Sequence, residues 1–195
     1  MPSGFGMSMA SRAARLEELV AIVRALLAGE RVTFHGKHFH LDGVSVSPLP
    51  RVPVSIWIAG TVPAAAERAG RIGDGWLTGQ NATRGELAQQ LEVYREAASR
   101  AGRPVLPVLR RDIYVGESDT EAEATVGRVL AEGYRGTGME QLLVGGAKSV
   151  VEQLHGYREL GFEFVMVRHI VGEHGAMLRS FERIGRSLMP AIRSL

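Results

Sequence analysis

The stretch PVSIWIAGTVPAAAERAGRIGDGW, residues 53–76, decides the fold of this chain. An apolar segment, typical of a short buried strand, ends in Ala59-Gly60-Thr61. An alanine-rich helical pattern follows at once, and a second strand begins at Asp74-Gly75-Trp76. This succession predicts a β-α-β unit, in which a helix joins two parallel strands.

The turn between the first strand and the helix has the features of an anion site. Gly60 has no side chain, so a phosphate can approach the backbone closely. Thr61, or Val62 followed by Pro63, opens the helix. The free N–H groups and the dipole of that helix face whatever lies above the strand end. The sequence therefore predicts a parallel β/α protein that binds a phosphate-bearing cofactor through Ala59, Gly60 and Thr61.

The composition is that of an ordinary globular protein. Of the 195 residues, 45% are hydrophobic and 23% are charged, enough for a single domain with a substantial core. The net charge is +2 and the sequence has no basic run, so we expect no nucleic-acid partner. Cysteine is absent, which excludes disulfides and thiolate chemistry. We see no signal-peptide pattern and only strand-sized apolar runs, and therefore expect a cytoplasmic protein without a membrane partner.

The rest of the chain alternates between helix and strand. A helix over 11–29 and a β-hairpin over 31–46 precede the quoted stretch. We interpret the later segments as four β/α units, with strands at 54–59, 74–78, 105–116 and 164–167 and helices at 63–71, 83–102, 118–133, 146–161 and around 178–189. A short apolar segment at 141–144 precedes the fourth of these helices. Such alternation predicts a parallel sheet flanked by helices, and four units make half of an eight-stranded barrel. The chain is too short to close a barrel alone.

Several helix ends are marked in the sequence. Thr83 with Glu86, and Ser118 with Glu121, form capping-box patterns at two helix starts. Gly161 can close the helix that precedes the last strand. These signals predict where the helices begin and end.

The chain resembles the C-terminal half of the bacterial-luciferase-like flavin-dependent oxidoreductases, a TIM-barrel superfamily. Four segments carry the resemblance, and together they extend over nearly the whole chain. The most specific is the stretch from Pro48 to Trp76, which is similar to the family pattern Pro-x-Pro, Pro-Ile-x-Ile-Gly-Gly and Arg-x-Gly-Asp-Gly-Trp. The others are the segments 12–41, 101–104 and 143–154.

The resemblance implies a half-barrel with an extra β-hairpin, a single domain over residues 1–195 that lacks the family's first four strands. It implies a cofactor that is either reduced FMN, used with O₂ to oxygenate an organic substrate, or the deazaflavin F420, which exchanges a hydride. A small-molecule substrate, a flavin reductase as possible partner and a homo-oligomer are expected with it. Two other hypotheses stay open: a non-catalytic half-barrel that serves as a partner subunit or dimerisation module, and an unrelated phosphate-binding α/β protein.

The sequence departs from the family at both of its glycine turns. Ala59-Gly60 replaces a Gly-Gly pair, which still permits donation from backbone N–H groups. Gly145-Gly146-Ala147 replaces Gly-Ser-Pro and removes a hydroxyl cap, which weakens a cofactor role for that turn. We also expect Gly60→Val to abolish flavin binding while leaving the helices folded, because the β-branched side chain would fill the space that a ligand oxygen needs.

Candidate substrate-pocket residues are Arg168, His169 and Trp76. The first two end the last strand at the edge where barrel sites lie, so Arg168 could hold a substrate anion and His169 could relay a proton. Trp76 is equally compatible with the core, where its N–H would need a partner. No residue has the pattern of a catalytic acid or base, so the catalytic residues stay unknown.

Other polar residues have structural explanations. Asp74 begins its strand at the edge opposite a barrel site, so we expect a structural role. In the run 110–112, alternation places Arg110 and Asp112 on one face and Arg111 on the other. A structural ion pair is expected there, and the alternative is an Arg or Asp that lines the barrel. A His-x-His pair on the hairpin lacks a third ligand, so no metal site is expected.

Overall fold

The computed structural model describes residues 9–193. Seven strands and seven α-helices are found there, with short 3₁₀ turns at Met9–Ser11 and Met139–Gln141 and a π-helical turn at Ile184–Leu188. In chain order they are α1 (Arg12–Leu27), β1 (Val32–His35), β2 (His40–Val44), β3 (Trp57–Gly60), α2 (Pro63–Ile72), β4 (Gly75–Thr78), α3 (Arg84–Arg100), β5 (Pro107–Val115), α4 (Asp119–Ala131), β6 (Leu143–Gly145), α5 (Ala147–Leu160), β7 (Phe164–His169), α6 (His174–Arg183) and α7 (Met189–Arg193).

The main sheet is parallel and is built around β5. Val108 in β5 pairs with both β4 and β7, so these two strands lie on opposite edges of β5. Ile113 pairs with both β6 and β7, so β6 follows β4 along the same edge. The strand β3 continues the sheet beyond β4. The parallel α/β architecture is confirmed, but with five strands rather than four, because Leu143–Gly145 adds a short strand beside the end of β5.

The two faces of this sheet differ. Alternation along β4 and β5 turns Trp76, Leu109 and Ile113 toward the helices, where they join the main apolar core. The opposite face, which we call the open face, carries Trp57 and Phe164, and their side chains are 40% and 50% exposed. Helices therefore pack on the side of Trp76, whereas Trp57 and Phe164 at the two edges of the other side stay accessible.

Helix α1 is fastened to the hairpin and to the sheet. The Glu18 carboxylate accepts hydrogen bonds from the backbone N–H groups of Lys37, His38 and Phe39, at 2.9–3.0 Å. His38 lies in this turn, so His40 has His35 rather than His38 as its neighbour across the strands.

None of the helices in the described part of the chain has the length and apolar character that crossing a bilayer requires.

The helix-start signals are confirmed in one case and half confirmed in the other. Thr83 and Glu86 form the full reciprocal capping box at α3. At α4 the Ser118 hydroxyl accepts from the Glu121 N–H, but the Glu121 carboxylate accepts from Tyr114 and Thr125 instead of returning to the cap. Gly161 closes α5 in the left-handed conformation, as expected.

Candidate functional site

A cavity of about 840 Å³ lies at the carboxyl ends of β3 and β4, where the sites of parallel β/α proteins form. The beginnings of α1 and α2 form its outer wall, and β5 contributes from the sheet. Its lining comprises Ala10, Arg12, Ala13, Ala59, Gly60, Thr61, Val62, Ala64, Ala65, Arg68, Thr78, Gly79, Gln80 and Arg110. The three residues that the sequence assigns to the cofactor therefore meet at one cavity.

The floor of this cavity is the turn from β3 into α2, which we call the cradle, residues 59–65. Val62 is the N-cap of α2 in extended conformation, Pro63 follows it, and no side chain caps the helix. The positive end of the α2 dipole thus faces the cavity, and no acidic side chain of residues 9–193 lies in the first turn of α2 or in the cavity lining to neutralise it. The cradle is suited to a phosphate group.

Gly60 is required for a different reason from the one the sequence suggests. A Cβ at this position would lie 2.9 Å from both the carbonyl carbon and the Cβ of Ala65. The missing side chain therefore lets α2 pack against the end of β3, rather than leaving a space for a ligand oxygen. Gly60→Val would displace the first turn of the helix, so the expectation that it leaves the helices undisturbed is wrong.

Trp76 supports the cradle from below. Its side chain is fully buried on the helix side of β4, beside Tyr94 and Phe162. Its indole Nε1–H donates a hydrogen bond to the Gly60 carbonyl at 3.2 Å. The expectation that Trp76 lines the pocket is not met by this geometry, because alternation along β4 turns the ring away from the open face. The sequence did anticipate that a buried indole would need an acceptor.

Three arginines, Arg12, Arg68 and Arg110, line the cavity, and no acidic side chain does. Arg68 donates through Nε to Glu17 at 3.1 Å. The guanidinium groups of Arg12 and Arg110 have no carboxylate partner among residues 9–193. Two unneutralised positive charges and a helix N-terminus therefore converge on one space, which favours an anionic ligand.

Sequence reasoning gave Arg111 no role, but this residue shapes the cavity wall. Its guanidinium is fully buried and donates to the carbonyls of Gly79, Gln80 and Ala82, at 2.7–3.3 Å. It also donates to the Tyr157 hydroxyl at 3.1 Å and lies over that ring. A single side chain thus fixes the loop after β4. The sequence feature that could have revealed this role is the presence of an arginine within an otherwise apolar strand.

Arg168 belongs to a polar cluster on the open face, near the cavity. Its guanidinium makes two hydrogen bonds to Asp112, at 2.6 and 2.9 Å, and a third to the Gln80 side chain at 3.0 Å. The Tyr134 hydroxyl donates to Asp112 at 2.8 Å. Because Gln80 also lines the cavity, the cluster adjoins it. Asp112 of the run 110–112 does form a structural ion pair, but with Arg168 of β7 and not with an arginine of the run.

Asp112 sets the protonation of its neighbours. The hydrogen bond to this carboxylate raises the pKa of the Arg168 guanidinium above its ordinary value. Burial raises the pKa of the Tyr134 hydroxyl, and its hydrogen bond to Asp112 raises it further. Both groups therefore keep their protons at neutral pH, and the cluster is a fixed donor surface rather than a proton relay.

His169 lies on the other face of β7, away from this cluster. Its Nδ1 lies 2.9 Å from the Val171 carbonyl, and its ring packs between Tyr114 and Phe181. Because a carbonyl only accepts, Nδ1 carries the proton. The Nε2 atom is buried and has no partner among residues 9–193. His169 does not contribute to the lining of the cavity, because alternation separates it from Arg168.

Asp74 works at the opposite end of the strands, as its sequence position suggests. It accepts from Arg24 at 3.0 Å, from Arg103 at 3.3 Å and from the Ile56 N–H at 2.9 Å. Burial raises the pKa of this carboxyl, but the hydrogen bonds from Arg24 and Ile56 and the charge of Arg103 outweigh it, so the pKa is lowered. Asp74 joins α1 to the amino end of the sheet.

The described residues contain no group of three or more His, Cys, Asp or Glu side chains that could hold a metal ion. The hairpin histidines His35 and His40 face each other with ring centroids 6.3 Å apart. No third ligand joins them in this part of the chain.

The family model of the luciferase-like monooxygenases matches residues 2–163. The chain belongs to the luciferase-like monooxygenase family. The similar proteins described below are dehydrogenases and a monooxygenase, and all of them are oxidoreductases. A monooxygenase from Streptomyces bottropensis is 27% identical and superimposes with a TM-score of 0.77 over 96% of this chain and 64% of its own. An F420-dependent secondary alcohol dehydrogenase shares the fold with a TM-score of 0.77 at 19% identity.

Curated relatives of this luciferase-like chain include F420-dependent enzymes. An F420-dependent glucose-6-phosphate dehydrogenase of Nakamurella multipartita is 45% identical over 67 residues, which are 34% of this chain and 20% of the relative. An F420-dependent hydroxymycolic acid dehydrogenase of Mycobacterium tuberculosis is 33% identical over 111 residues, which are 56% of this chain and 30% of the relative.

The chain spans less than two thirds of the relatives and solved neighbours that it matches. Together with the parallel sheet, this agrees with the expected partial TIM-type barrel of the luciferase-like family.

Proposed function

We propose that this chain is the cofactor-tail-binding part of an F420-dependent oxidoreductase. The observation that carries the proposal is the cavity at the cradle. An uncapped helix N-terminus converges there with Arg12 and Arg110, which have no carboxylate partner among residues 9–193, and no acidic residue of this range lines the cavity. Such a surface fits the phosphate-bearing tail of a flavin or deazaflavin. In this role Ala59, Gly60 and Thr61 supply backbone contacts.

The donors present define the work of the protein. The bound cofactor supplies the redox chemistry, a hydride exchange in the case of F420. Arg110 neutralises the tail from β5, while Arg111 holds the loop 79–82 against the cavity. Arg168, held in one orientation by Asp112, binds an anionic or hydrogen-bond-accepting group of a small-molecule substrate on the open face.

F420 is preferred over FMN because the curated relatives reported above carry F420-dependent names. The second candidate is an FMN-dependent monooxygenase, which would need a flavin reductase partner. One observation favours it: the monooxygenase from Streptomyces bottropensis matches 96% of this chain at 27% identity.

The proposal is tested by titrating the purified chain with F420 and with FMN in parallel, following the change in cofactor fluorescence. We expect saturable one-to-one binding, tighter for F420. The variant Arg110→Met should weaken binding about 10- to 100-fold, the loss of one charge-assisted hydrogen bond. Arg100→Met is the matched control, since Arg100 is an exposed arginine outside the cavity lining.

Each outcome has a distinct meaning. Tighter binding of FMN would replace the F420 proposal by the monooxygenase. Binding that Arg110→Met and Arg100→Met change equally would remove the cradle from the site. Absence of binding to either cofactor would support a non-catalytic half-barrel, and binding of a sugar phosphate alone would support an unrelated phosphate-binding protein.

A further inference from the structure

The strand β7 has one free edge. The Ile170 N–H donates to the Ile113 carbonyl of β5, so by alternation the N–H and C=O groups of Val165 and Val167 point away from β5. Within residues 9–193 no strand pairs with that edge. At the other end of the sheet, β3 likewise has a free edge, where Trp57 and Ala59 present their backbone groups. A sheet with two open parallel edges is ready to accept further strands.

Both faces of β7 are also uncovered. Phe164, Val165, Met166 and Val167 are 37–50% exposed, and Trp57 on β3 is similar. With Leu19 of α1, these side chains expose roughly 400–500 Å² of apolar surface, taking about 150–250 Å² for a large side chain. These side chains do not form one contiguous patch: each of the two edge strands, β7 and β3, carries its own exposed apolar side chains.

Helix α1 carries a matching stripe. Leu19, Val23 and Leu26 recur at helical spacing on one face, and all three are exposed or half-buried. Neighbouring faces of the helix are occupied, since Glu18 holds the hairpin and Arg24 reaches Asp74. Leu19, at 43% exposure, marks this face of α1 as accessible, and in a β/α barrel a helix before β3 would cover the strand next to β3.

We propose that two copies of this chain form one barrel. The strands β3, β4, β5 and β7 of each copy supply four parallel strands, and eight is the number that closes a TIM-type barrel. The free edge of β7 in one copy pairs with the free edge of β3 in the other, and the two-fold axis repeats this seam. The α1 stripe of one copy then covers Val165 and Val167 of the other.

The area available agrees with a stable dimer. The apolar surface described above, the two strand edges and the half-buried α1 stripe together approach the value of about 800 Å² per partner that specific interfaces bury. A groove of about 400 Å³ beside Val165, walled by Leu154, Phe162 and Ile192, lies where the seam would close. A second copy therefore accounts for both edges and for the stripe with one symmetric contact.

The cavity at the cradle is incomplete without this second copy. In a closed barrel the carboxyl end of β7 from one copy lies next to the carboxyl end of β3 from the other, about 5 Å away between strands. Arg168 of the second copy would then face the cavity beside Ala59. The site would be built between copies, with one cradle at each of the two seams. This dimer does not depend on which cofactor binds.

The first test is the mass of the chain in solution. Sedimentation equilibrium should give a species of twice the 21.1 kDa chain mass. The double variant Val165→Lys with Val167→Lys should weaken dimerisation at least about 100-fold. Each lysine places a charge in the seam and should weaken association by about tenfold or more. Val105→Lys is the matched control, since Val105 is 47% exposed but lies before β5, away from both edges. Circular dichroism checks that the variants stay folded.

A crosslink keeps the test valid if the lysine variant fails to fold. The chain has no cysteine, so Trp57→Cys and Met166→Cys can be introduced in separate copies, both on the open face. Mixing them with a short thiol crosslinker should give a crosslinked pair, and Trp57→Cys with Val105→Cys should not. A chain that stays monomeric, a dimer that tolerates the lysines, or crosslinking equal to that of the control pair would overturn the proposal. A monomer that instead closes with a separate β/α polypeptide would overturn it as well.

Discussion

Trp57 and Trp76 lie on neighbouring strands, one residue apart in register, and the sheet treats them in opposite ways. Trp76 points into the helix layer, is fully buried and has a hydrogen-bond partner. Trp57 points to the open face and is 40% exposed. The difference shows that side chains on one side of the sheet are packed against helices, whereas side chains at the edges of the other side are accessible to solvent. The helix side holds the main apolar core, whereas the open face is the side on which we propose that a ligand and a second copy bind.

The largest effect should come from truncating the two tryptophans in turn. Trp76→Ala should lower the free energy of unfolding by about 3–5 kcal/mol, because it leaves a cavity and deprives the Gly60 carbonyl of its donor. Trp57→Ala should cost about 1 kcal/mol, since that ring is only partly buried. Urea denaturation at low protein concentration measures both. Equal losses would break the contrast between the two sides.

The adjacent arginines of β5 sharpen the same contrast. Arg111→Met should cost about 2–4 kcal/mol of stability, because the carbonyls of Gly79, Gln80 and Ala82 lose a buried donor. Arg110→Met should change stability by no more than about 0.5 kcal/mol, because no carboxylate of the described residues pairs with it. Its effect should be on ligand affinity instead. The comparison would fail if thermal or urea unfolding showed Arg110→Met to be the more damaging change.

The smallest effect concerns pH and the anchor of α1 to the sheet. The folded state lowers the pKa of Asp74, so the stability that this carboxylate contributes is present at neutral pH and is lost as the pH falls through that lowered value. Asp74→Asn should therefore cost about 1–2 kcal/mol at pH 7, and the cost should shrink progressively as the pH falls below the ordinary carboxyl value of 3.8.

The measurement for Asp74 is the difference in unfolding free energy between wild type and variant at several pH values. Asp42→Asn is the control, since Asp42 is exposed on the hairpin. A deficit for Asp74→Asn that stays constant from pH 7 to pH 3 would show that the carboxylate charge is not what joins α1 to the strands.

Much of the fold follows from local pattern. The Ala59-Gly60-Thr61 turn, the capping box at Thr83 and the glycine at 161 are set by neighbours in sequence, and the structure agrees with them. The short strand β6 was harder to recognise as a unit of the sheet, because its three residues give no period of their own. Pairing with the far end of β5 makes it a strand.

The site was harder to predict because face assignment depends on tertiary packing. Alternation correctly separates Arg111 from Arg110 and Asp112, but it does not tell which face the helices cover. The same uncertainty placed Trp76 in the pocket. Likewise, the need for glycine at position 60 comes from its contact with Ala65, which depends on how tightly α2 packs on the strand end.

The hydrogen bond between the Trp76 indole and the Gly60 carbonyl couples the fluorescence of this tryptophan to the turn at Gly60. A ligand that polarises the turn at Gly60 alters the environment of an emitting ring that water does not reach. Trp57 is partly exposed to solvent, so we expect it to emit at longer wavelength and to respond to a molecule that binds on the open face. Changes in the emission of Trp76 would therefore report occupancy of the proposed cavity, and changes in the emission of Trp57 would report the proposed association of chains.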